Sequence, residues 1–400
     1  MGLTDTPSAN RLQIGLYGRR NSGKSLLLNA LTGQEVSLVS EVAGTTTDPV
    51  AKAMEWHPLG PVLFYDTAGF DDEGELGAQR VERTEKTLEK VDVALLVFAG
   101  EDIAEETAFA RRLKEKHIPT VAVLNQTDLL SDEERDERLA RIGKATGLKP
   151  VAVSARERRG MEQVREALIR AVPEDFGAHS IVGGLAGTGD TVLLVMPQDI
   201  QAPKGRLILP QVQTIRELLD KGCVVVSSTA DQMEKALASL AAAPHLIVTD
   251  SQCFPQVYRL KPEESLLTSF SVLFAAYKGD IRTFVEGASA IASLNEHSHV
   301  LIAEACTHAP LQEDIGRVKI PRMLRQRFGE SLQVTLVAGA DFPGDLTPYD
   351  LIIHCGACMF NRRYVLSRVE AARSQGVPIT NYGVTLAYLA GILDKVSYEV

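Results

Sequence analysis

The chain has little cysteine and no long apolar run. Five of its 400 residues are cysteine, an odd and small number that argues against a disulfide framework and for a reducing compartment. No apolar run reaches the roughly 18 uncharged residues of a membrane span, so we expect no transmembrane helix. The first residues lack a basic segment followed by an apolar core, so no secretory signal is evident. We therefore expect a cytoplasmic protein without a membrane partner.

Positive charge is also scarce. Lysine and arginine number 42 against 52 aspartates and glutamates, which gives a formal net charge of −10. This balance disfavours broad binding to nucleic acid, which needs a basic surface to displace counterions. The apolar content of 45% and the charged content of 24% are ordinary for a globular chain, and the length suggests two or three domains.

Strand-like and helical patterns alternate over the first 172 residues. Helices are predicted at residues 79–90, 104–116 and 161–171, and strands at residues 12–17, 62–65, 93–98, 120–124 and 151–153. This alternation is typical of a doubly wound α/β domain with a parallel sheet. A break at residues 173–177 ends the pattern, so we place the first domain at residues 1–173.

Two further α/β domains are predicted after this break. The second, at residues 174–262, has strands predicted at 191–195, 223–226 and 245–248 and helices at 211–221 and 230–241. The third, at residues 263–400, has helices predicted at 263–278, 281–294 and 321–328 and strands at 299–303, 333–337 and 351–353. The two blocks share only their α/β rhythm, without a recognisable internal repeat.

A phosphate-binding motif follows the first predicted strand. The octapeptide GRRNSGKS at residues 18–25 matches G-x-x-x-x-G-K-S/T in full and precedes a helical run. Its glycines let backbone N–H groups turn towards phosphates, Lys24 neutralises the β and γ phosphates, and the Ser25 hydroxyl ligates Mg²⁺. The predicted phosphate-binding residues are Gly18, Asn21, Ser22, Gly23, Lys24, Ser25 and Leu26.

Two later segments predict further contacts with Mg²⁺ and the γ phosphate. Asp66 closes a predicted strand, where a carboxylate can hold Mg²⁺ through water, and the Gly69 N–H can sense the γ phosphate. Thr46 lies in a GTTTD loop and could complete the Mg²⁺ shell, unless that loop is only a solvated polar segment. With Lys24 and Ser25, these residues form the predicted catalytic set.

Two loops predict a preference for guanine. Asn125 and Asp128 follow the fourth predicted strand, and the Asp128 carboxylate can accept two hydrogen bonds from the guanine edge. Ser154 and Ala155 follow the fifth strand and could offer a backbone N–H to the guanine oxygen.

Together these motifs resemble translation-factor-like GTPases, most closely the tRNA-modification and ribosome-assembly subgroup. That family usually has lysine where Gln126 stands, so nucleotide affinity is expected to be modest. Similar GTPases use an asparagine at the position of Asn21 to hold K⁺, and Phe70 replaces the glutamine that orients water in Ras-like enzymes. The resemblance implies K⁺-stimulated, intrinsically slow GTP hydrolysis.

Two clusters of cysteine and histidine occur late in the chain. Cys306-Thr307-His308 is followed, after a spacer of 45 residues, by His354-Cys355-Gly356-Ala357-Cys358. Thiolate and imidazole ligands select iron–sulfur clusters or zinc, and a C-x-x-C pair alone would also fit a redox motif. Both clusters directly follow predicted strands, at the edge where α/β sheets bind ligands. The remaining cysteines, Cys223 and Cys253, are expected to be buried small hydrophobic residues.

The two clusters resemble the signature of the [FeFe]-hydrogenase maturation GTPases, the HydF family, and the resemblance covers the whole chain. It implies a [4Fe–4S] cluster on Cys306, Cys355 and Cys358, whose fourth iron takes a histidine, a carboxylate or an incoming ligand. His308 and His354 are candidates for that ligand, or for supporting or purely structural histidines. It also implies a middle dimerisation domain, so that a homodimer is expected.

In that family the protein carries a diiron subcluster as cargo. It receives the unit from radical-SAM maturation enzymes and delivers it to apo-[FeFe]-hydrogenase. Arg317 and Lys319 could attract such an anionic, cyanide-bearing ligand, or they could form a solvated basic surface. The alternative function is that of an RNA- or ribosome-associated GTPase with a structural zinc site.

Overall fold

Three β-sheets organise the chain in its computed structural model. The structure describes residues 7–33, 50–70, 84–174, 176–198, 207–305, 314–339 and 341–399. It divides into two units, Met1–Ala178 and His179–Val400. Within the described ranges, none of the helices has both the length and the apolar character needed to span a bilayer.

The first unit contains a six-stranded sheet. Its strands are β1 Leu12–Tyr17, β2 Val50–Trp56, β3 Gly60–Asp66, β4 Val93–Phe98, β5 Thr120–Leu124 and β6 Val151–Ala152. They lie in the order β2-β3-β1-β4-β5-β6, and the described helices are α1 Lys24–Thr32, α2 Ala104–Glu115, α3 Asp132–Thr146 and α4 Met161–Ala171. Every residue of β1 and β4 is buried, because the central strands of a parallel sheet are covered on both faces.

The α/β class and all five predicted strands of this unit are confirmed, but the sheet is not wholly parallel. The unpredicted strand β2 pairs antiparallel with β3. It alternates exposed and partly buried residues along most of its length, as expected for an edge strand with one solvated face. Of the helix predicted at residues 79–90, residues 84–87 are helical and residues 79–83 lie outside the described ranges.

The second unit contains two four-stranded sheets, and both are parallel throughout. One consists of β7 Thr191–Val195, β8 Val224–Ser228, β9 Leu246–Thr249 and β10 Leu266–Ser269. The other consists of β11 His299–Glu304, β12 Gln333–Ala338, β13 Leu351–His354 and β14 Ile379–Asn381. The orders are β10-β9-β7-β8 and β12-β11-β13-β14, so each sheet has its strands in the order second, first, third, fourth.

Helices connect these strands and cover the sheets. They are α5 Leu209–Asp220, α6 Met233–Ala238, α7 Phe254–Leu260, α8 Phe270–Lys278, α9 Ile281–Ala288, α10 Ile320–Phe328, α11 Arg362–Ser374 and α12 Tyr382–Leu389, with a π-helix at Ile315–Lys319. One buried cluster contains both Leu193 of β7 and Ile302 of β11, so the two sheets share a hydrophobic core.

The helix predicted at residues 263–278 is wrong in its first half. Strand β10 occupies Leu266–Ser269, after the boundary predicted at residue 262, and pairs with β9. Helix α8 begins only at Phe270, where the Ser269 hydroxyl accepts a hydrogen bond from the Val272 N–H and caps the helix. Short apolar runs do not distinguish a buried strand from a helix by periodicity.

The order of the third sheet creates a crevice between β11 and β13. The connection from β11 leads to β12 on one side, and the connection from β13 leads to β14 on the other. Such a reversal of direction is where open α/β sheets bind ligands, beyond the carboxyl ends of the strands. These ends are Glu304 and His354, next to the two cysteine and histidine motifs.

Candidate nucleotide and metal sites

The P-loop surrounds a surface cavity of ≈ 390 Å³. The Lys24 ammonium donates hydrogen bonds to the carbonyl oxygens of Gly18 and Arg19, both at 2.9 Å. A Cβ added at Gly18 would lie 2.5 Å from the Val97 carbonyl oxygen, so only glycine fits there. The lining residues are Arg20, Asn21, Gly23, Lys24, Ser25, Leu26, Thr67 and Gly69.

Ser25 and Asp66 meet beside this cavity. The Ser25 hydroxyl donates a 2.5 Å hydrogen bond to Asp66 at the end of β3. Burial raises the pKa of Asp66, against the opposing effects of Ser25 and Lys24. The structure therefore brings together Lys24, Ser25, Asp66 and Gly69 of the predicted catalytic set, whereas Thr46 lies outside the described residues.

Asn125 links the P-loop to the loop at Ser154 and Ala155, which is predicted to contact guanine. Its side-chain amide donates to the Ser22 carbonyl at 2.9 Å and accepts from the Ala155 N–H at 3.1 Å. The Ser154 hydroxyl donates to Asp128 at 2.7 Å, and this hydrogen bond lowers the pKa of Asp128. Asp128 is therefore an ionised acceptor at neutral pH, as recognition of the guanine edge requires.

Gln126 keeps a direct connection with the P-loop. Its backbone is in the left-handed region, with φ 64°, and its side-chain amide donates to the Asn21 carbonyl at 2.9 Å. A glutamine here therefore retains a polar bond to the phosphate loop while lacking the positive charge of lysine.

Phe70 packs into the core of the first unit. Its ring stacks on Phe109 of α2, with centroids 5.1 Å apart and planes inclined by 17°. The position that follows Gly69 therefore contributes an apolar anchor, with no polar group to orient water. The acidic residues 71–75, an alternative source of a water-positioning carboxylate, lie outside the described ranges.

An ion pair that the sequence did not predict joins the P-loop to helix α2. The Arg19 guanidinium donates to Glu106 of α2 at 2.8 Å, and the Glu106 side chain is completely buried. Burial raises the pKa of Glu106, and Arg19 opposes that shift. Glu106 lies in an ordinary charged helical pattern, so nothing local in the sequence distinguishes it.

The candidate metal site lies at the carboxyl end of β11 and β13. The Ala305 N–H donates to the Cys355 sulfur at 3.0 Å, and the Ala357 N–H lies 3.4 Å from the same sulfur. Cys306 and His308 lie outside the described residues, but Ala305 directly precedes Cys306 in the chain. In the described part of the chain, no three His, Cys, Asp or Glu side chains are grouped to hold a metal.

A buried lysine donates hydrogen bonds to backbone carbonyl groups at the end of the C-x-x-C loop. Lys278, at the end of α8, is 2% exposed and donates to the carbonyl oxygens of Cys358 and Phe360 at 3.2 and 2.6 Å. Two backbone N–H groups directed at the Cys355 sulfur suit a metal-bound thiolate, whose lone pairs accept such hydrogen bonds. The residues present therefore fit a thiolate-bound metal centre, either iron–sulfur or zinc.

Both ring nitrogens of His354 have partners. The side chain is completely buried, its Nδ1 lies 2.7 Å from the Cys355 carbonyl oxygen, and its Nε2 lies 3.1 Å from the Arg368 guanidinium. Because a carbonyl only accepts and a guanidinium only donates, the ring is neutral with its proton on Nδ1. Burial and Arg368 lower the pKa of His354 to about 3. Ligation by His354 would require the ring to leave both partners.

The basic residues between the two motifs have defined partners. Arg317 donates to one Glu304 oxygen at 2.7 and 3.0 Å, and Lys319 donates to Gln252 at 2.7 Å. An anionic ligand would therefore compete with Glu304 for Arg317. Cys223 is buried, as predicted, and Cys253 is partly buried against the core.

Three family models match the chain. Residues 13–126 match a model described as 50S ribosome-binding GTPase, residues 181–279 the hydrogen maturase F dimerization domain, and residues 282–398 the hydrogen maturase F tetramerization domain. The two hydrogen maturase F models together cover more than half of the chain.

The curated relatives that we compared match less than half of the chain. GTPase Der of Wolinella succinogenes is 38% identical over 182 residues, which are 44% of this chain and 38% of the relative. The tRNA modification GTPase MnmE of Paraburkholderia xenovorans is 35% identical over 173 residues, which are 42% and 36%. The chain thus spans well under half the length of these relatives.

Solved structures resemble the chain more remotely. Era in complex with MgGDPNP and a segment of 16S ribosomal RNA is 21% identical, with a TM-score of 0.36, covering 55% of this chain and 92% of that one. The G domain of the FeoB iron transporter from T. maritima is 18% identical, with a TM-score of 0.33, covering 41% and 99%.

We predict that Asp128→Asn changes the nucleotide preference. An amide replaces one acceptor with a donor, so GTP affinity should fall roughly 10- to 100-fold, as expected for a lost hydrogen bond to a charged group. Xanthosine triphosphate, which has a carbonyl where guanine has an amino group, should bind the variant better than it binds the wild type. Titration calorimetry with both nucleotides measures this, with the exposed Asp132→Asn as a control. An unchanged preference would contradict the assignment of Asp128.

We predict that His354→Ala weakens the fold without changing the type of metal centre. Arg368 would lose a buried acceptor, which costs roughly 1–3 kcal/mol, so thermal unfolding of the metal-free protein should begin at a lower temperature. The electron paramagnetic resonance spectrum of the iron-reconstituted variant should match the wild type. His354→Asn, which can still donate to the Cys355 carbonyl, serves if the alanine variant fails to fold. A changed spectrum in either variant would identify His354 as a ligand.

Proposed function

The chain belongs to the hydrogen maturase F family, and we propose that it is a GTP-hydrolysing scaffold that carries a diiron subcluster to apo-[FeFe]-hydrogenase. The observation that supports this most directly is the contact between Ala305 and the Cys355 sulfur. It places the residue directly before Cys306 against the H-C-x-x-C motif at the end of one sheet. The diiron unit is the cargo of this scaffold, delivered by radical-SAM maturation enzymes.

The first domain would bind GTP through the P-loop. The Lys24 ammonium would move its hydrogen bonds from the carbonyl oxygens of Gly18 and Arg19 to the β and γ phosphates. Asp128 would select guanine. Ser25, and Asp66 through water, would hold Mg²⁺, which neutralises phosphate charge when bound. Asn21 lines the cavity and is the residue that would contact K⁺. With Phe70 in the core, intrinsic hydrolysis should be slow.

The cysteines would hold the resident cluster. Cys306, Cys355 and Cys358 are the proposed thiolate ligands of a [4Fe–4S] cluster, which supplies one iron with an exchangeable position when bound. Ala305 and Ala357 direct their amides at the Cys355 sulfur, and Lys278 fixes the loop that ends at Cys358. Because His354 has partners on both nitrogens, its proposed task is to support the loop.

Self-association is proposed through the first sheet of the second unit. Residues 181–279 match a dimerization domain, and strand β8 is an edge of that sheet. Exposed apolar side chains concentrate beside this edge: Leu207, Val212, Leu219 and Val224 are 38–54% exposed. Val212 and Leu219 are seven residues apart on α5 and therefore lie on the same helical face. The proposed occupant of this surface is a second copy of the chain.

If the three cysteines hold an iron–sulfur cluster, the reconstituted protein should be coloured, and replacing these cysteines should remove the colour. Protein reconstituted anaerobically with iron and sulfide should be brown, with broad absorption near ~400 nm. Replacement of Cys306, Cys355 and Cys358 by serine should abolish iron uptake, while Cys223→Ser should leave it unchanged. The same preparations should activate apo-[FeFe]-hydrogenase only with the three cysteines intact and with GTP supplied in place of GDP.

A different outcome would favour the alternative function. A colourless protein with stoichiometric zinc in all preparations would indicate a structural zinc site, as in an RNA- or ribosome-associated GTPase. Equal activation with GDP and GTP would count against a role for the nucleotide in delivery.

We predict that Leu219→Glu weakens self-association. An ionised carboxylate in a buried interface is strongly unfavourable, so the dissociation constant should rise at least about tenfold. Analytical ultracentrifugation across a concentration series measures the change. Leu129→Glu is the matched control, because Leu129 is 69% exposed and belongs to the first unit. Equal masses for wild type and Leu219→Glu at every concentration would exclude this surface.

A further inference from the structure

Near the candidate metal site, one buried hydroxyl group has no hydrogen-bond partner among the described residues. Tyr382 is the first residue of α12, directly after β14, and its hydroxyl oxygen is buried without a hydrogen bond to any described residue. An unsatisfied buried hydroxyl destabilises a protein, and native structures contain few of them. Nothing in the sequence around Tyr382 marks it as a functional residue.

The backbone is shaped to admit this hydroxyl. A Cβ added to Gly316, in the π-helix Ile315–Lys319, would lie 1.8 Å from the Tyr382 oxygen. Any residue except glycine at position 316 would therefore collide with the tyrosine. The π-helix forms one wall of the site, because Arg317 within it pairs with Glu304 at the end of β11.

The two neighbouring carboxylates accept hydrogen bonds from donors other than Tyr382. One oxygen of Asp314 accepts from the N–H groups of Gly316 and Arg317, and one oxygen of Glu304 accepts twice from Arg317. Burial, followed by the charges of Cys355, Glu304 and Asp314, raises the pKa of Tyr382 well above its ordinary value. The group therefore keeps its proton and can act as a donor.

The strand-to-helix junction is joined to the cysteine loop. Asn381 donates from its side-chain amide to the Cys355 carbonyl at 3.4 Å and accepts from the Gly383 N–H at 2.8 Å, which caps α12. Tyr382 is thus fixed next to Cys355, at the N-terminus of a helix whose dipole favours negative charge. A hydroxyl donor and a positive helix end therefore lie on the helix that Asn381 joins to the cysteine loop.

We propose that the Tyr382 hydroxyl donates a hydrogen bond to a sulfur of the metal–thiolate centre held by Cys355. This inference rests on the proposed function of the cysteines as ligands. Hydrogen bonds to cluster sulfurs stabilise the more negative, reduced state and raise the reduction potential. Tyr382 is therefore a positioning and tuning residue of the centre, and its partner is present only in the loaded protein.

Tyr382→Phe removes only the hydroxyl oxygen. It therefore distinguishes a structural role of the hydroxyl in the metal-free protein from a hydrogen bond to the metal centre. In the metal-free protein, the loss of an unpaired buried hydroxyl should leave the unfolding temperature unchanged or raise it. In the iron-reconstituted protein, the reduction potential should become more negative. A chelator should also remove iron roughly 3- to 10-fold faster, as expected for one lost hydrogen bond.

Tyr388→Phe is the matched control, because it makes the same chemical change six residues further along α12. It should alter neither the potential nor the rate of iron loss. A lower unfolding temperature of metal-free Tyr382→Phe would show an ordinary structural hydroxyl and overturn the proposal. Unchanged potential and iron loss would overturn it as well. If the wild type takes up no iron, the proposed function fails first; if it does and Tyr382→Phe behaves identically, only this inference fails.

Discussion

The parallel pairing of β11 with β13 is the constraint on which the candidate metal site depends. Val300 pairs with Leu351 and Ala303 with His354, so both strands end at the same edge of the sheet. This register brings Ala305 to the sulfur of a residue 50 positions later. A shift of one residue would turn His354 out of the core and the buried strand residues with it. Backbone pairing thus brings the residue that precedes the first motif into contact with the second motif.

The nucleotide site follows the same rule in a different sheet. The P-loop follows β1, Asp66 ends β3, and the Asn125 loop follows β5, so all contribute from the carboxyl ends of parallel strands. The contacts from Ser25 to Asp66 and from Asn125 to Ser22 join these ends across the sheet. Side chains that are scattered along the sequence converge because neighbouring strands run in one direction.

Buried strands were predictable because their residues are mostly apolar. The predicted bounds of β1, β4 and β7 agree with the structure. Strand β2 was missed because Lys52 and Glu55 interrupt its apolar residues without a strand-like alternation, and β10 was mistaken for the start of a helix. The elements after residue 358 were not predicted at all, and with them Arg368 and Tyr382 escaped notice. Lys278 ends a helix, where a lysine is usually solvated, and only tertiary packing shows that it is buried.

A buried arginine, Arg368, contributes positive charge next to His354 in the H-C-x-x-C motif. The Arg368 guanidinium is 2% exposed and contacts neutral groups among the described residues: His354 Nε2, the Gly339 carbonyl and the Tyr364 hydroxyl. The ring faces of Phe342 and Tyr364 also lie within 5 Å of it. A buried cation without a carboxylate partner is unfavourable by itself. An anionic metal–thiolate centre nearby would offset that penalty. Burial, together with the charge of Arg368, disfavours protonation of His354.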